Sequence, residues 1–313
     1  MTETIGLAVI TVGVGALLAV WTSSAQTNRV LGILLYVAFG LVSALLVLAG
    51  AGMLLLGEAA GTAGTAPAGG AALAVGLGLG LPLLPPVRRL LARAMPFDPT
   101  SIPDMVGLAI LTATLVGFPL LGVSTADDVA YRPVGADELV VQTVMFVLLA
   151  FLAVGTWIRR DLRSAVRRLG LRLLTPREFA IALALVLVAF FISGVAGALT
   201  QALQPGLERE LEERLRTMTQ EVANVPGAVT LGLTAGIGEE ILFRGAIQPR
   251  YGIVFTSLVF SVTHVQYGFS VIVLGVFLLS VLLGLERQRM GTTASIVTHA
   301  AYNTVAVLLQ STV

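Results

Sequence analysis

Gly236-Ile-Gly-Glu-Glu-Ile-Leu-Phe-Arg-Gly-Ala-Ile-Gln248 places two adjacent carboxylates and an arginine in a run otherwise apolar enough to cross a bilayer. An ionisable side chain at the centre of a span costs roughly 2.5–3.5 kcal/mol on insertion scales. Three such groups within six residues point to a use for them. The surroundings agree that this is a membrane chain. It has 313 residues, 56% of them hydrophobic and only 12% charged, and its mean hydropathy is +0.93. A soluble domain carries about 25% charged residues.

Ten apolar segments follow one another: 5–21, 30–56, 70–84, 105–123, 139–158, 179–199, 227–247, 253–266, 269–285 and 292–309. A helical span needs about 20 residues. The fold class expected is therefore all-α, a polytopic transmembrane bundle of about 8–10 spans, with the third and eighth segments short. Only Glu3 precedes the first segment, so it does not read as a cleavable signal peptide. Basic loops (Arg29; Arg88, Arg89 and Arg93; seven arginines from Arg159 to Arg177; Arg250; Arg287 and Arg289) alternate with neutral or acidic ones. The positive-inside rule then puts the basic loops in the cytoplasm and both termini outside.

Cysteine is absent, which excludes disulfides and thiolate chemistry. All the basic residues are arginine, and the Ala/Gly/Leu-rich composition suggests a prokaryotic cell membrane. Arg159–Arg172 reads as a basic amphipathic helix on the cytoplasmic leaflet. Leu207–Gln220 reads as a charged helix with Glu210–Arg214 and Glu212–Arg216 at pairing distance. Ala59–Gly69 reads as a flexible loop. Ionisable residues within spans begin only after about Pro176. The expected organisation is thus an N-terminal transmembrane bundle (1–158), a basic linker (159–178) and a catalytic membrane core (179–313).

Within the opening stretch, Glu240 and Arg244 are four residues apart and form an intrahelical pair on a helix. Glu239 is rotated by about 100° from Glu240. It is left facing a cavity, where a carboxylate suits general-base work. The plain alternative is a buried ion-pair network that only fixes packing. The chain's two histidines lie downstream in separate apolar segments, in Phe260-Ser-Val-Thr-His264 and His299-Ala-Ala-Tyr-Asn303. Each sits one helical turn from a partner, Phe260 or Asn303. A glutamate, two histidines and an amide together form a hydrolytic set: a base, water-orienting imidazoles and an oxyanion donor.

Glu239-Glu240-x-x-x-Arg244, Phe260-x-x-x-His264 and His299-x-x-x-Asn303, in that order on successive segments, resemble the CPBP family. That family comprises CAAX proteases and bacteriocin-processing enzymes, also called Abi, and is similar to the eukaryotic Ras-converting CAAX endopeptidase. The resemblance covers about Arg172 to the C-terminus, and Arg168-Leu-Gly-Leu-Arg172 has the look of bacterial members. It implies an intramembrane endopeptidase with Glu239 as base, His264 orienting water, and His299 and Asn303 steadying the oxyanion. Glu240, Arg244 and Phe260 would give structural support. Glu239, His264 and His299 are also the candidate ligands of a divalent metal such as zinc. No His-Glu-x-x-His occurs, and the resemblance favours the metal-independent glutamate mechanism without deciding it.

The expected partners are a peptide or membrane-protein substrate and the lipid bilayer, with no nucleic acid. Two other readings stand beside the peptidase. One is an ion-coupled transporter using Glu239 and Glu240; the first half lacks the matching polar motif of an inverted repeat. The other is a non-catalytic immunity or scaffold member of the same fold.

Overall fold

In a computed structural model, residues 2–59, 65–125, 132–268 and 270–310 are described. Among them there is no strand. The helices are α1 (Thr2–Ala25), α2 (Arg29–Ala59), α3 (Thr65–Gly80), α4 (Pro85–Leu91), α5 (Ile102–Thr125), α6 (Ala136–Ala153) and α7 (Leu162–Arg168). They continue with α8 (Pro176–Leu203), α9 (Pro205–Thr219), α10 (Val225–Glu240), a π-helical segment (Ile241–Ile247), α11 (Gln248–Tyr251), α12 (Ile253–Val262), α13 (Val271–Met290) and α14 (Thr292–Gln310). Every apolar segment read from the sequence holds one of these helices. The protein is an all-helical, multi-pass membrane protein.

Seven helices among the described residues are long and apolar enough to cross a bilayer: α1, α2, α3, α5, α6, α8 and α13. The apolar segments outside that set are α10 (16 residues), α12 (10 residues) and α14 (19 residues). These three carry or adjoin the motif residues Glu239, Glu240, Arg244, His264, His299 and Asn303. Of the three, α10 and α12 are short, whereas α14 has the length of a span and is set apart by its polarity.

Helix packing divides the chain into two units interleaved along the sequence. One comprises Met1–Ala19, Tyr131–Pro249 and Ser270–Val313, and the other comprises Val20–Ala130 and Arg250–Phe269. In the first, Ala150, Val154, Ala165, Leu169, Ile241 and Ala246 form a buried core. In the second, Ala25, Leu35, Met105 and Val106 do the same. The buried Arg88 there is tied off by backbone oxygens, donating to Pro82 (2.8 Å), Leu83 (3.0 Å) and Pro99 (2.8 Å). A buried cation is thus satisfied without a carboxylate.

Two local expectations are corrected. The basic helix expected over Arg159–Arg172 is confined to α7, capped by the Asp161 side chain accepting from Ser164 N at 2.9 Å. Trp157 (φ 61) and Gly170 (φ 74) take left-handed backbone conformations on either side of it. A helix cannot run through such a residue, and at Gly170 the absence of Cβ makes the turn inexpensive. The loop expected over Ala59–Gly69 already enters α3 at Thr65, and residues 60–64 lie outside the described residues. The charged helix did form as read: α9 pairs Arg214 with Glu210 at 2.6 Å and Arg216 with Glu212 at 4.0 Å.

Candidate active site

The first unit builds its polar cluster by bringing α10 against α14. The close approach is a matter of missing side chains. A Cβ on Gly232 would lie 2.1 Å from Thr304 Oγ1 and 2.4 Å from the Ala300 carbonyl oxygen. A Cβ on Gly236 would lie 2.9 Å from Ala300 Cβ and 3.0 Å from Ala300 N. Glycines four apart on one helix face let two backbones meet in this way in membranes. The next turn of α10 then places Glu239 and Glu240 beside α14.

Glu240 is fully buried and serves two partners, one with each oxygen. His299 Nδ1 lies 2.8 Å from Oε1, and Arg244 Nε lies 3.1 Å from Oε2. Since an ionised carboxylate only accepts, His299 donates through Nδ1–H and its Nε2 becomes the ring's other face to the site. The sequence assigned Glu240 to Arg244 alone; packing against α14 adds His299. Arg244 is also fully buried and donates through Nη2 to Ser280 Oγ (3.2 Å) and the Ser280 carbonyl (3.4 Å) on α13. Four residues on, the buried Gln248 donates to the Gly284 carbonyl at 2.9 Å. Two side chains one turn apart thus hold this stretch to α13.

The stretch from Ile241 to Ile247 is π-helical for a reason visible in the chain. Pro249 has no N–H, so the Gly245 carbonyl four residues earlier lacks its α-helical donor, and the ring would clash with it. The helix widens instead, and Gln248 N–H donates to Phe243 O, five residues back. The stranded Gly245 carbonyl accepts from Arg168 Nη1 at 3.2 Å. The following residues bracket the start of α14. Leu169 O accepts from Thr292 Oγ1 (2.6 Å), Gly170 O accepts from Thr292 N (3.0 Å), and Arg172 N donates to Thr293 Oγ1 (3.1 Å). Arg168–Arg172 therefore ties the π-helical segment to the beginning of the histidine helix.

Glu239 and Asn303 are left for other work. Glu239 Oε2 is buried with no hydrogen-bond partner among the described residues. Its carboxylate is near enough for its charge to act on His299 and Arg244. Asn303 is half-buried on α14, one turn beyond His299, and no side-chain hydrogen bond engages its amide among the described residues. A buried acceptor and an unused amide on two packed helices suit a base and an oxyanion donor.

His264 belongs to the second unit and is described within it. It lies just past the end of α12, with Nδ1 2.9 Å from the Phe260 carbonyl oxygen. A carbonyl only accepts, so Nδ1 carries the hydrogen and Nε2 offers a lone pair. The ring is held by Phe260 (centroids 4.6 Å) and lies parallel to Tyr267 (6.2 Å, 7°). The start of α12 is anchored on α5, where Arg250 Nη1 donates to Asp104 Oδ1 (2.7 Å) and Tyr251 OH donates to the Asp104 carbonyl (2.9 Å).

Residues 221–305 match the family model described as Rce1-like, the Type II CAAX prenyl endopeptidase Rce1-like family. The segment is Rce1-like. No curated protein and no solved structure matches the chain. The Rce1-like segment contains Glu239, Glu240, Arg244, Phe260, His264, His299 and Asn303, all of the motif residues quoted from the sequence. It supports a CAAX-protease-like membrane protein in general terms.

The Rce1-like segment also holds residues that sequence reading passed over. Glu286 is the main one. The apolar run ends at Leu285, so Glu286 reads as the first residue of a basic loop. In fact α13 continues to Met290 and Glu286 is buried, accepting from or donating to Thr298 Oγ1 at 2.7 Å. The extra helical turn, five residues (Glu286–Met290) with three charges, was the only available signal. As for a metal, no group of three His, Asp or Glu side chains placed to hold one occurs among the described residues. His299 Nδ1 is already committed to Glu240. That bond does not engage His299 Nε2. The chemistry below is derived from the side chains alone.

Proposed function

We propose that the protein is an intramembrane endopeptidase of the CAAX-protease-like kind, hydrolysing a peptide bond of a membrane-associated or peptide substrate. The observation that carries the reading is Glu239: a carboxylate next to the Glu240–His299 pair, inside the Rce1-like segment, with a buried oxygen that has no hydrogen-bond partner among the described residues. Glu239 accepts one proton of a water molecule; for His264, in the second unit, the family motif implies a water-orienting role. The water oxygen bonds to the carbonyl carbon, and the resulting oxyanion is met by the Asn303 amide. As the C–N bond breaks, Glu239 returns its proton to the departing amine. His299 assists the oxyanion through Nε2 when its ring carries both hydrogens, and the Glu240 carboxylate is the counter-charge for that form. Arg244 holds Glu240 in place throughout.

On this reading residues 179–313 are the catalytic core, 1–158 the bundle that precedes it and 159–178 a cytoplasmic linker. The basic loops face the cytoplasm and both termini face outward in a prokaryotic cell membrane. The test is peptide cleavage by the detergent-purified protein, with and without chelator, beside Glu239→Gln. Cleavage is expected to survive the chelator and to vanish in Glu239→Gln while the variant still folds. Full activity in Glu239→Gln would remove the general-base assignment.

A further inference from the structure

We propose that Glu286, buried on α13, is a neutral carboxylic acid that clamps α13, α14 and α8 together beside the site without adding charge to it. Thr298 Oγ1 has a single hydrogen and two oxygens within bonding distance: the Ala182 carbonyl of α8 at 2.9 Å and Glu286 Oε1 at 2.7 Å. The carbonyl can only accept. If Glu286 were ionised, it too could only accept, and one of the two short oxygen–oxygen contacts would hold no hydrogen. With the proton on Glu286, its O–H donates to Thr298 and the Thr298 O–H donates to Ala182. Both contacts are then hydrogen bonds.

Charge gives the same answer independently. The buried cluster already holds the carboxylates of Glu239 and Glu240 against one guanidinium, Arg244. Glu286 is close enough for the charges of Glu240 and Arg244 to act on it, and among the described residues no ion pair engages it. Its Oε2 is buried without a hydrogen-bond partner among the described residues. His299 follows Thr298 directly on α14, so the clamp fixes the turn from which that imidazole projects.

Glu286 is thus a positioning residue. That role rests on the peptidase reading, whereas the protonation state does not. The decisive measurement is infrared spectroscopy of the full chain in detergent at pH 8, where exposed carboxyls are ionised. The wild type is expected to show a carboxylic-acid C=O stretch that is lost in Glu286→Gln. In Thr298→Val, which removes the acceptor of the O–H bond, the stretch is expected to remain and move to a different frequency. Absence of the band in the wild type, or its persistence in Glu286→Gln, overturns the proposal. If Glu286→Gln does not fold, Thr298→Val decides alone, and an unmoved band overturns it. Cleavage plays no part in these readings, so failure here and failure of the peptidase assignment are separately visible.

Discussion

Replacing Arg244 by methionine should separate the structural from the catalytic part of the cluster. Arg244 and Glu240 are 1% and 0% exposed, with Nε and Oε2 3.1 Å apart. Methionine keeps much of the apolar stem and removes the charge. Glu240 is then a buried carboxylate with only the His299 bond, and Ser280 loses its donor. Breaking a buried pair from one side costs about 3–5 kcal/mol. Arg244→Met should therefore lower unfolding stability in detergent by about that amount, read by helical circular dichroism along a denaturant titration. Removing both charges is the informative comparison. In Glu240→Gln/Arg244→Met no charge of the pair is stranded, and the amide can still meet His299. The double variant should be more stable than Arg244→Met, with a coupling in the range of about 0.5–3 kcal/mol found for contacting residues once Glu240→Gln alone is measured. A loss below about 1 kcal/mol in Arg244→Met, the level of an exposed pair, would refute the reasoning. So would a double variant no more stable than the single one.

Further outcomes concern the backbone around the cluster. Gly232→Ala should destabilise by roughly 1–3 kcal/mol, because its Cβ must displace the α14 backbone. Gly197→Ala on α8, where nothing lies within 4 Å, should be neutral or stabilising; melting temperatures of the two variants check the contrast. Arg168→Ala should cost roughly 1–3 kcal/mol by stranding the Gly245 carbonyl. In a Pro249→Ala background, where residue 249 regains an N–H for that carbonyl, the same change should cost much less, as a double-mutant cycle will record.

Much of the fold was legible because hydropathy is a one-dimensional property: all ten apolar runs hold helices. The motif residues were legible too, because ionisable groups in apolar runs are conspicuous. Depth and register were not. Glu286 looked like a loop residue because nothing in the sequence marks how far α13 continues beyond Leu285. Glu240 was matched to Arg244 by local spacing, while its contact with His299 depends on α14 reaching α10 over Gly232 and Gly236. The π-helical segment had a cue in Pro249, but a proline leaves several ways to relieve its clash. The basic helix was overestimated because charge periodicity ran on past Gly170.

The weakness of α10, α12 and α14 as spans has a consequence for biogenesis. A segment that partitions poorly into lipid enters the membrane only when a neighbour carries it. Gly291 alone separates α14 from the strongly apolar α13. The pair is therefore expected to insert as one hairpin, delivering Glu286 and Thr298 already opposite each other. Glycosylation-site mapping should find α14 inserted behind α13 and left out when expressed behind a polar spacer. Equal insertion in both cases would sink the idea. If it holds, the most damaging lesions for this protein need not touch its polar residues at all: a charge introduced into lipid-facing α13 would leave His299 and Asn303 outside the membrane.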